Sequence, residues 1–325
     1  MKERNHVIVA GGGAAGMVAA ILARRLGAEV AILERNPRVG KKLLATGNGR
    51  CNFTNIHADA GCYSGNNPKF VYRALSGFPV EDTIRFFEKL GIQHKVEEMG
   101  KVFPMSDQAS SVLDVLLYEL NATGVHMICD AYVTGLEKKK DKFLVRTEDG
   151  KTYEGDRVIL AAGGKAMPSS GSDGNGLDLA AKLGHSVTDL FPALVQLMLD
   201  GPWFKRIDGV KFVGTAEILS DRRSIAKDSG DILFTNYGIS GPPILQISRK
   251  AGELLQQGKE AVLRVRIMDQ MSKEELKDLI DRRVQAGPKK TMEFSFVGLI
   301  NKRLIPVILA EAGIDGRKRA SDVSA

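Results

Sequence analysis

The stretch Val7-Ile-Val-Ala-Gly-Gly-Gly-Ala-Ala-Gly16 decides the fold of this chain. Val7 to Ala10 is a short apolar run of the kind that a strand covered on both faces requires. Gly11, Gly13 and Gly16 follow at G-x-G-x-x-G spacing, and Ala14 to Leu26 has the composition of a helix. Each glycine has its own task in such a turn. The first permits the tight bend, the second lets main chain approach a diphosphate, and the third lets helix and strand pack closely. The helix N-terminus adds unpaired N–H groups and a partial positive charge, which favour an anion. Arg24 and Arg25 suit the last turn, and Gly27 is placed as a C-cap. Val30 to Leu33 then supplies a second strand, with Glu34 at its carboxyl end, 23 residues beyond Gly11. A carboxylate there accepts hydrogen bonds from a ribose hydroxyl pair and repels a 2′-phosphate. Strand, helix, second strand and acid all fall where a dinucleotide-binding βαβ unit needs them.

The charged Met1-Lys2-Glu3-Arg4 ahead of the uncharged run Asn5–Ala23 has the outline of a secretory leader. Four glycines break that run, which continues into the helix and second strand, so it reads as part of the fold. At 325 residues the chain predicts two domains, and its 43% hydrophobic and 26% charged content is that of a soluble globular protein. No stretch approaches a membrane span of about 20 apolar residues. Cys51, Cys62 and Cys129 show no metal-ligand or C-x-x-C spacing, which suits a reducing cytoplasm. The net charge of +7 is modest, and Lys138-Lys-Lys140 and Arg317-Lys-Arg319 read as solvated charge. No basic helix or aromatic–basic alternation accompanies them, so a specific nucleic-acid partner is not expected.

Beyond the βαβ start, a polar, glycine-rich stretch runs from Asn36 to about Asn67. Helices are predicted over Glu81–Leu90 and Ser111–Leu120, and a strand over Val125–Asp130. Three short strands near 132–136, 143–147 and 151–153 form a β-meander, and Asp156–Ala162 returns as a buried strand running into Gly163-Gly164. From Phe191 to Asp269 the pattern reads mainly as strands. Ser272-x-x-Glu275 is a capping box opening a helix with Leu276, Leu279, Ile280 and Val284 on one face, and Pro306 breaks or kinks a helical pattern over Leu299–Ala312. The change of pattern places a domain boundary near residue 190, giving units 1–190 and 191–325.

Three further segments carry a resemblance. They are Gly40-Lys-Lys-Leu-Leu-Ala-Thr-Gly-Asn-Gly-Arg-Cys-Asn-Phe-Thr-Asn55, Val158-Ile-Leu-Ala-Ala-Gly-Gly164, and Ile232-Leu-Phe-Thr-Asn-Tyr-Gly-Ile-Ser-Gly-Pro-Pro-Ile-Leu245. With the N-terminal fingerprint, the chain resembles the bacterial flavoprotein family that includes aminoacetone oxidase-like and bile-acid dehydrogenase/reductase enzymes. The resemblance implies an α/β fold: a glutathione-reductase-like, doubly wound FAD-binding domain with a β-meander, carrying an inserted barrel-like, mainly-β domain with a helical part. It places the FAD diphosphate on Gly11, Gly12, Gly13, Ala14, Ala15 and Gly16, and the adenosine ribose on Glu34 with Arg35 beside the adenine. It runs the segment containing Lys42, Leu43, Thr46, Gly49, Arg50, Cys51 and Asn52 along the diphosphate and ribityl chain, with Lys42 and Arg50 offering charge to phosphate. Val133 meets adenine through its backbone, and Ala162, Gly163 and Gly164 close over the cofactor. Cys51, lacking a partner cysteine, is expected as a small packing residue rather than a redox centre. The family's final FAD-domain segment, a Gly-Leu-Tyr-Phe-Ala-Gly-Glu-like strand, has no counterpart before Ala325. The residues from Gly316 onward read as a polar tail or the start of an unfinished helix, and weakened FAD retention is expected.

The expected activity is an FAD-dependent oxidoreductase, passing hydride between a small organic substrate, or NADH or NADPH visiting transiently, and the flavin. With one G-x-G-x-x-G only, a separate NAD(P)H domain is not expected. The alternative is a shortened, non-catalytic FAD- or ADP-binding protein, and an RNA-associated flavoprotein ranks third.

Overall fold

A computed structural model of the chain describes residues 5–65 and 67–323, so Met1 to Arg4 and the last two residues lie outside it. The chain divides into two compact units, Met1–Thr188 and Asp189–Ala325.

The first unit begins with β1 (His6–Ala10), α1 (Ala14–Arg25) and β2 (Glu29–Leu33). It continues through β3 (Thr54–Asn55), α2 (Tyr72–Gly77), α3 (Val80–Lys89), β4 (His94–Val96), β5 (Lys101–Pro104), α4 (Ala109–Thr123) and β6 (His126–Ile128). The meander β7 (Val133–Lys139), β8 (Lys142–Thr147) and β9 (Thr152–Gly155) leads to β10 (Arg157–Leu160), and α5 (Asn175–Lys182) closes the unit. A parallel sheet forms in the order β10-β1-β2-β6, with Val7 opposite both Arg157 and Val30. Side chains alternate across β1. Val7 and Val9 pack with Met17, Ala20 and Ile21 of α1 and with Val112, Leu116 and Leu120 of α4. Ile8 and Ala10 pack with Val133 and Val145 of the meander and Leu179 of α5. Both faces are covered, which is why the strand carries no polar residue between Val7 and Ala10.

The glycine-rich stretch after β2 is more ordered than its composition suggests. Leu43–Gly49 is a kinked 3₁₀ segment with Gly47 and Asn48 left-handed, and β3 joins β5 and β4 in a small antiparallel sheet.

The second unit contains β11 (Leu197–Met198), α6 (Phe204–Ile207), β12 (Lys211–Ser220), β13 (Arg223–Thr235), β14 (Gly238–Ser240), α7 (Pro242–Gln256) and β15 (Val262–Arg266). Helices α8 (Lys273–Gln285), α9 (Met292–Ser295) and α10 (Ile305–Glu311) follow. Its sheet is antiparallel in the order β11-β14-β13-β12-β15, open where a barrel was expected. Helix α7 corrects the mainly-strand reading of 191–269. Gly241 at φ 114° turns the chain, Pro242 and Pro243 occupy the first turn, and Ile244, Ile247, Ala251 and Leu254 are buried along one face. The capping box on Ser272 and Glu275 is present. Pro306 starts α10 instead of breaking it, because a first-turn proline lacks only an N–H that has no helical partner. The tail is also corrected: Ala320 is buried, and Met292 N–H donates to Lys318 O at 2.9 Å.

Candidate functional site: a nucleotide groove at the strand ends

The carboxyl ends of β1, β2 and β10 open onto a groove of about 100 Å³ that is in part continuous with solvent. The four glycines of the β1–α1 turn take separate positions in it. A Cβ on Gly11, whose φ is +108°, would stand 2.5 Å from Ala161 O, so the end of β10 excludes any side chain. On Gly16 it would lie 1.9 Å from Gly11 O, which fixes the closeness of α1 to β1. On Gly12 it would meet Val39 at 2.4 Å. Gly13 differs from these three. Its backbone is ordinary, at φ −76°, and its missing Cβ would meet nothing within 4 Å. Gly13 therefore faces open groove. It is also the N-cap of α1, where no side chain caps the helix and no acid stands in the first turn. Ala14 and Ala15 are exposed beside it. This is a helix N-terminus left with its amide donors toward an open groove.

Glu34, 7% exposed, directs its carboxylate into the turn. One oxygen accepts from Gly12 N–H at 2.7 Å, the other from Asn36 N–H at 2.8 Å and Asn36 Nδ2 at 2.6 Å. Oε2, which accepts only from Gly12 N–H, keeps a second lone pair for a ligand hydroxyl, whereas both lone pairs of Oε1 are taken by Asn36. The Arg35 guanidinium pairs with Asp173 and lies 4.2 Å over the Tyr132 ring, and the Tyr132 hydroxyl donates to Asp173 at 3.1 Å. Burial pushes the Asp173 carboxyl upward, but Asn175 N–H, Arg35 and Tyr132 outweigh it and hold the group below its usual value. Burial, with Asp173 beside it, raises the Tyr132 phenol. The backbone oxygen of Val133 accepts from Asn175 Nδ2 at 2.7 Å.

Lys41 and Lys42 line the same groove. Lys41 Nζ donates to Ser169 O at 2.7 Å and Lys42 Nζ to Ala166 O at 2.8 Å. Among the described residues, neither ammonium forms an ion pair with a carboxylate. Two uncompensated cations beside an uncapped helix start match an anionic ligand.

The groove thus gathers Gly11, Gly12, Gly13, Glu34, Arg35, Lys42, Val133, Ala162 and Gly163, with Gly164 next to its wall. It does not gather the rest of the 42–52 segment. Leu43 and Cys51 are buried in the apolar core, and Thr46 Oγ1 donates back to Leu43 O at 2.6 Å. Gly49, at φ +84°, belongs to the left-handed bend of that segment. Arg50 and Asn52 line a second groove with Gly47, Asn48, Glu97, Glu98, Lys101 and Phe103. Arg50 was expected to offer charge to phosphate. Its guanidinium instead meets Glu97 at 2.9 Å and Asp107 at 3.3 Å and lies 4.0 Å over the Phe103 ring, so its charge is neutralised within the protein. Burial pushes the Cys51 thiol up, the direction opposite to an activated thiolate.

Sequence reasoning missed Asn36, Lys41, Tyr132, Ser170, Ser172 and Asn175, all of which line the first groove. The signal lay in Gly163 to Gly176, where glycine, serine and aspartate cluster as they do in a structured turn.

Residues 5–315 match the profile of the HI0933-like protein Rossmann domain. The chain belongs to this family. HI0933-like proteins are flavoprotein oxidoreductases with a Rossmann nucleotide-binding domain. Over 321 residues the chain is 40% identical to 3-dehydro-bile acid delta(4,6)-reductase of Clostridium scindens, covering 98% of this chain and 78% of that one. It is 31% identical to the ribosomal RNA dihydrouridine synthase of Escherichia coli, over 76% of this chain and 61% of that one. The Haemophilus influenzae enzyme of the same name is 27% identical over 97% and 76%. No helix among the described residues is long and apolar enough to cross a membrane.

Proposed function

We infer that this HI0933-like chain is an FAD-dependent reductase of a small unsaturated organic substrate. The observation that carries the reading is Gly13: an ordinary backbone conformation with empty space at its Cβ, at the start of an uncapped helix, next to two lysines without carboxylate partners. The groove fits the adenosine diphosphate half of FAD. The α1 amides, Lys41 and Lys42 suit the diphosphate, and Glu34 suits the ribose hydroxyls. Arg35, Tyr132 and Val133 form the adenine end.

When bound, the flavin supplies the hydride chemistry, and the protein's part is to hold and orient it. Clamping of Glu34 by three N–H groups fixes its carboxylate before any ligand arrives, so little ordering cost remains for the ribose. The reductive direction is supported by the relatives, named for a bile acid delta(4,6)-reductase and for formation of dihydrouridine. NADH or NADPH is the proposed electron source, visiting transiently. The test is anaerobic: the purified, FAD-loaded protein should lose its flavin absorbance on addition of NADH or NADPH. Bleaching by neither, with oxygen consumed in the presence of amines, refutes the reductase reading.

A second reading, in which the substrate is part of an RNA, has the two dihydrouridine synthases and the +7 charge in its favour. RNA affinity that persists at physiological salt supports it, and affinity that vanishes there marks nonspecific phosphate contact.

A further inference from the structure

The segment from Gly164 to Gly174 crosses beside the nucleotide groove in an unusual way. None of its apolar side chains is buried: Ala166 and Pro168 are exposed, and Met167 is 48% exposed at φ 64°. Its inward residues are Ser170, Ser172 and Gly174. What holds it to the opposite wall is a set of polar contacts from Arg35, Asn36, Lys41 and Lys42, with the Tyr132 hydroxyl on Asp173. Asn36 Nδ2 donates to Ser170 O at 3.0 Å, Lys41 Nζ to Ser169 O at 2.7 Å, and Lys42 Nζ to Ala166 O at 2.8 Å and Ser172 Oγ at 3.4 Å. Arg35 pairs with Asp173 and reaches Gly171 O at 3.5 Å. An element fastened to that wall by polar contacts, three of them from the exposed Lys41 and the half-buried Lys42, belongs to the easily opened part of a fold.

The geometry points to residues 164–174 as a strap over the nucleotide groove, latched by Lys41 and Lys42, and to these two ammoniums as shared ligands of strap and diphosphate. This rests on the FAD reading above. An ammonium has three N–H donors. Each spends two on neutral oxygens, Lys41 on Ser169 O of the strap and Asn36 Oδ1, Lys42 on Ala166 O and Ser172 Oγ of the strap, leaving positive charge uncompensated at the groove. A diphosphate arriving on the α1 amides takes the remaining donors while the carbonyl contacts persist, and charge-assisted bonds hold each side chain more firmly than neutral ones. Cofactor and strap then stabilise each other: the bound nucleotide fastens the strap, and the strap slows the nucleotide's departure. Lys41 in particular becomes a cofactor ligand that the G-x-G-x-x-G fingerprint does not announce.

Hydrogen exchange read by mass spectrometry on peptides spanning 164–174 of the full chain tests this, with FAD binding followed separately by flavin fluorescence. In the wild type, saturating FAD should slow exchange in the strap. In Lys41→Met/Lys42→Met the strap without FAD should exchange about tenfold faster or more, the effect of removing charged hydrogen bonds. At FAD concentrations high enough to fill that variant, FAD should no longer protect the strap, and FAD should dissociate faster. Lys182→Met, which removes an exposed charge from α5 outside the strap, should behave as wild type. FAD that binds the wild type without slowing the strap, or a double variant whose strap exchanges at the wild-type rate, overturns the latch. Failure of the wild type to bind FAD overturns the functional reading instead, and the cofactor-free comparison of strap exchange still decides whether the lysines hold it.

Discussion

Replacing Gly13 by valine separates the fold from the function in a way that replacing its neighbours does not. The Gly13 backbone sits at φ −76°, where any residue is at ease, and a Cβ there meets no atom within 4 Å. The Cβ of a valine there is accommodated without contact. Its cost is the weaker N-cap, about 1 kcal/mol. In a domain near 190 residues, about 1 kcal/mol lowers Tm by roughly 2–4 °C. The cost to the ligand is larger, because the isopropyl group fills the space through which the diphosphate reaches the α1 amides. Losing two charge-assisted hydrogen bonds, at about 1.5 kcal/mol each for an open groove, removes about 3 kcal/mol. That weakens FAD more than about 100-fold. Gly16→Ala is the contrasting case. Its Cβ would lie 1.9 Å from Gly11 O, so α1 must shift and the unit loses about 1–3 kcal/mol or more. Titration of cofactor-free protein with FAD gives Kd, and thermal unfolding without FAD gives the fold's share. Gly13→Val that binds FAD within threefold of wild type refutes the placement of the diphosphate. So does a cofactor-free Tm that falls as far as that of Gly16→Ala.

Other expectations are as definite. Glu34→Gln turns an amide NH₂ toward donors that now face a carboxylate, so Tm without FAD should fall by the equivalent of about 1–3 kcal/mol and FAD affinity should fall with it. Cys62 is exposed whereas the Cys51 thiol is buried and pushed up, so iodoacetamide at neutral pH should label Cys62 first and Cys51 last, as peptide mass spectrometry will show. The Asp149 carboxyl is pulled down to about 2 by the Lys151 ammonium and the Thr147 hydroxyl. A depressed folded-state value means that its contribution is complete above the unfolded value near 3.9 and is lost as pH falls through about 2. Carbon NMR of Asp149 should find that low midpoint, and Lys151→Ala should raise it. Ser272→Ala removes the α8 cap at about 1 kcal/mol, measurable by thermal unfolding, and should leave FAD affinity unchanged.

The first strands were legible because each demand on them is local. Gly11 and Gly16 tolerate no side chain, Val7 to Ala10 are covered on both faces, and such constraints leave their marks within a dozen residues. The 36–67 stretch was not legible, because long-range polar contacts order it: Arg50 to Glu97 and Asp107, and Asn52 to Val102 O at 3.2 Å. Periodicity does not report charge pairs made across fifty residues. Helix α7 was readable in principle from Pro242-Pro243 ahead of Ile244, Ile247, Ala251 and Leu254. Its flanking strands dominated the reading. The strap left only a turn signature, since backbone carbonyls supply the acceptors for Lys41 and Lys42, and any sequence offers carbonyls.

The register that sets Val7 opposite Arg157 has a consequence for how the protein is made. The groove draws its lining from Ala10 through Leu179. A ribosome that has released only the glycine turn has released a loop without walls, and β1 must wait some 150 residues for one of its two neighbours. Capture of the cofactor is therefore a late event in synthesis, one that reports completion of this unit's sheet.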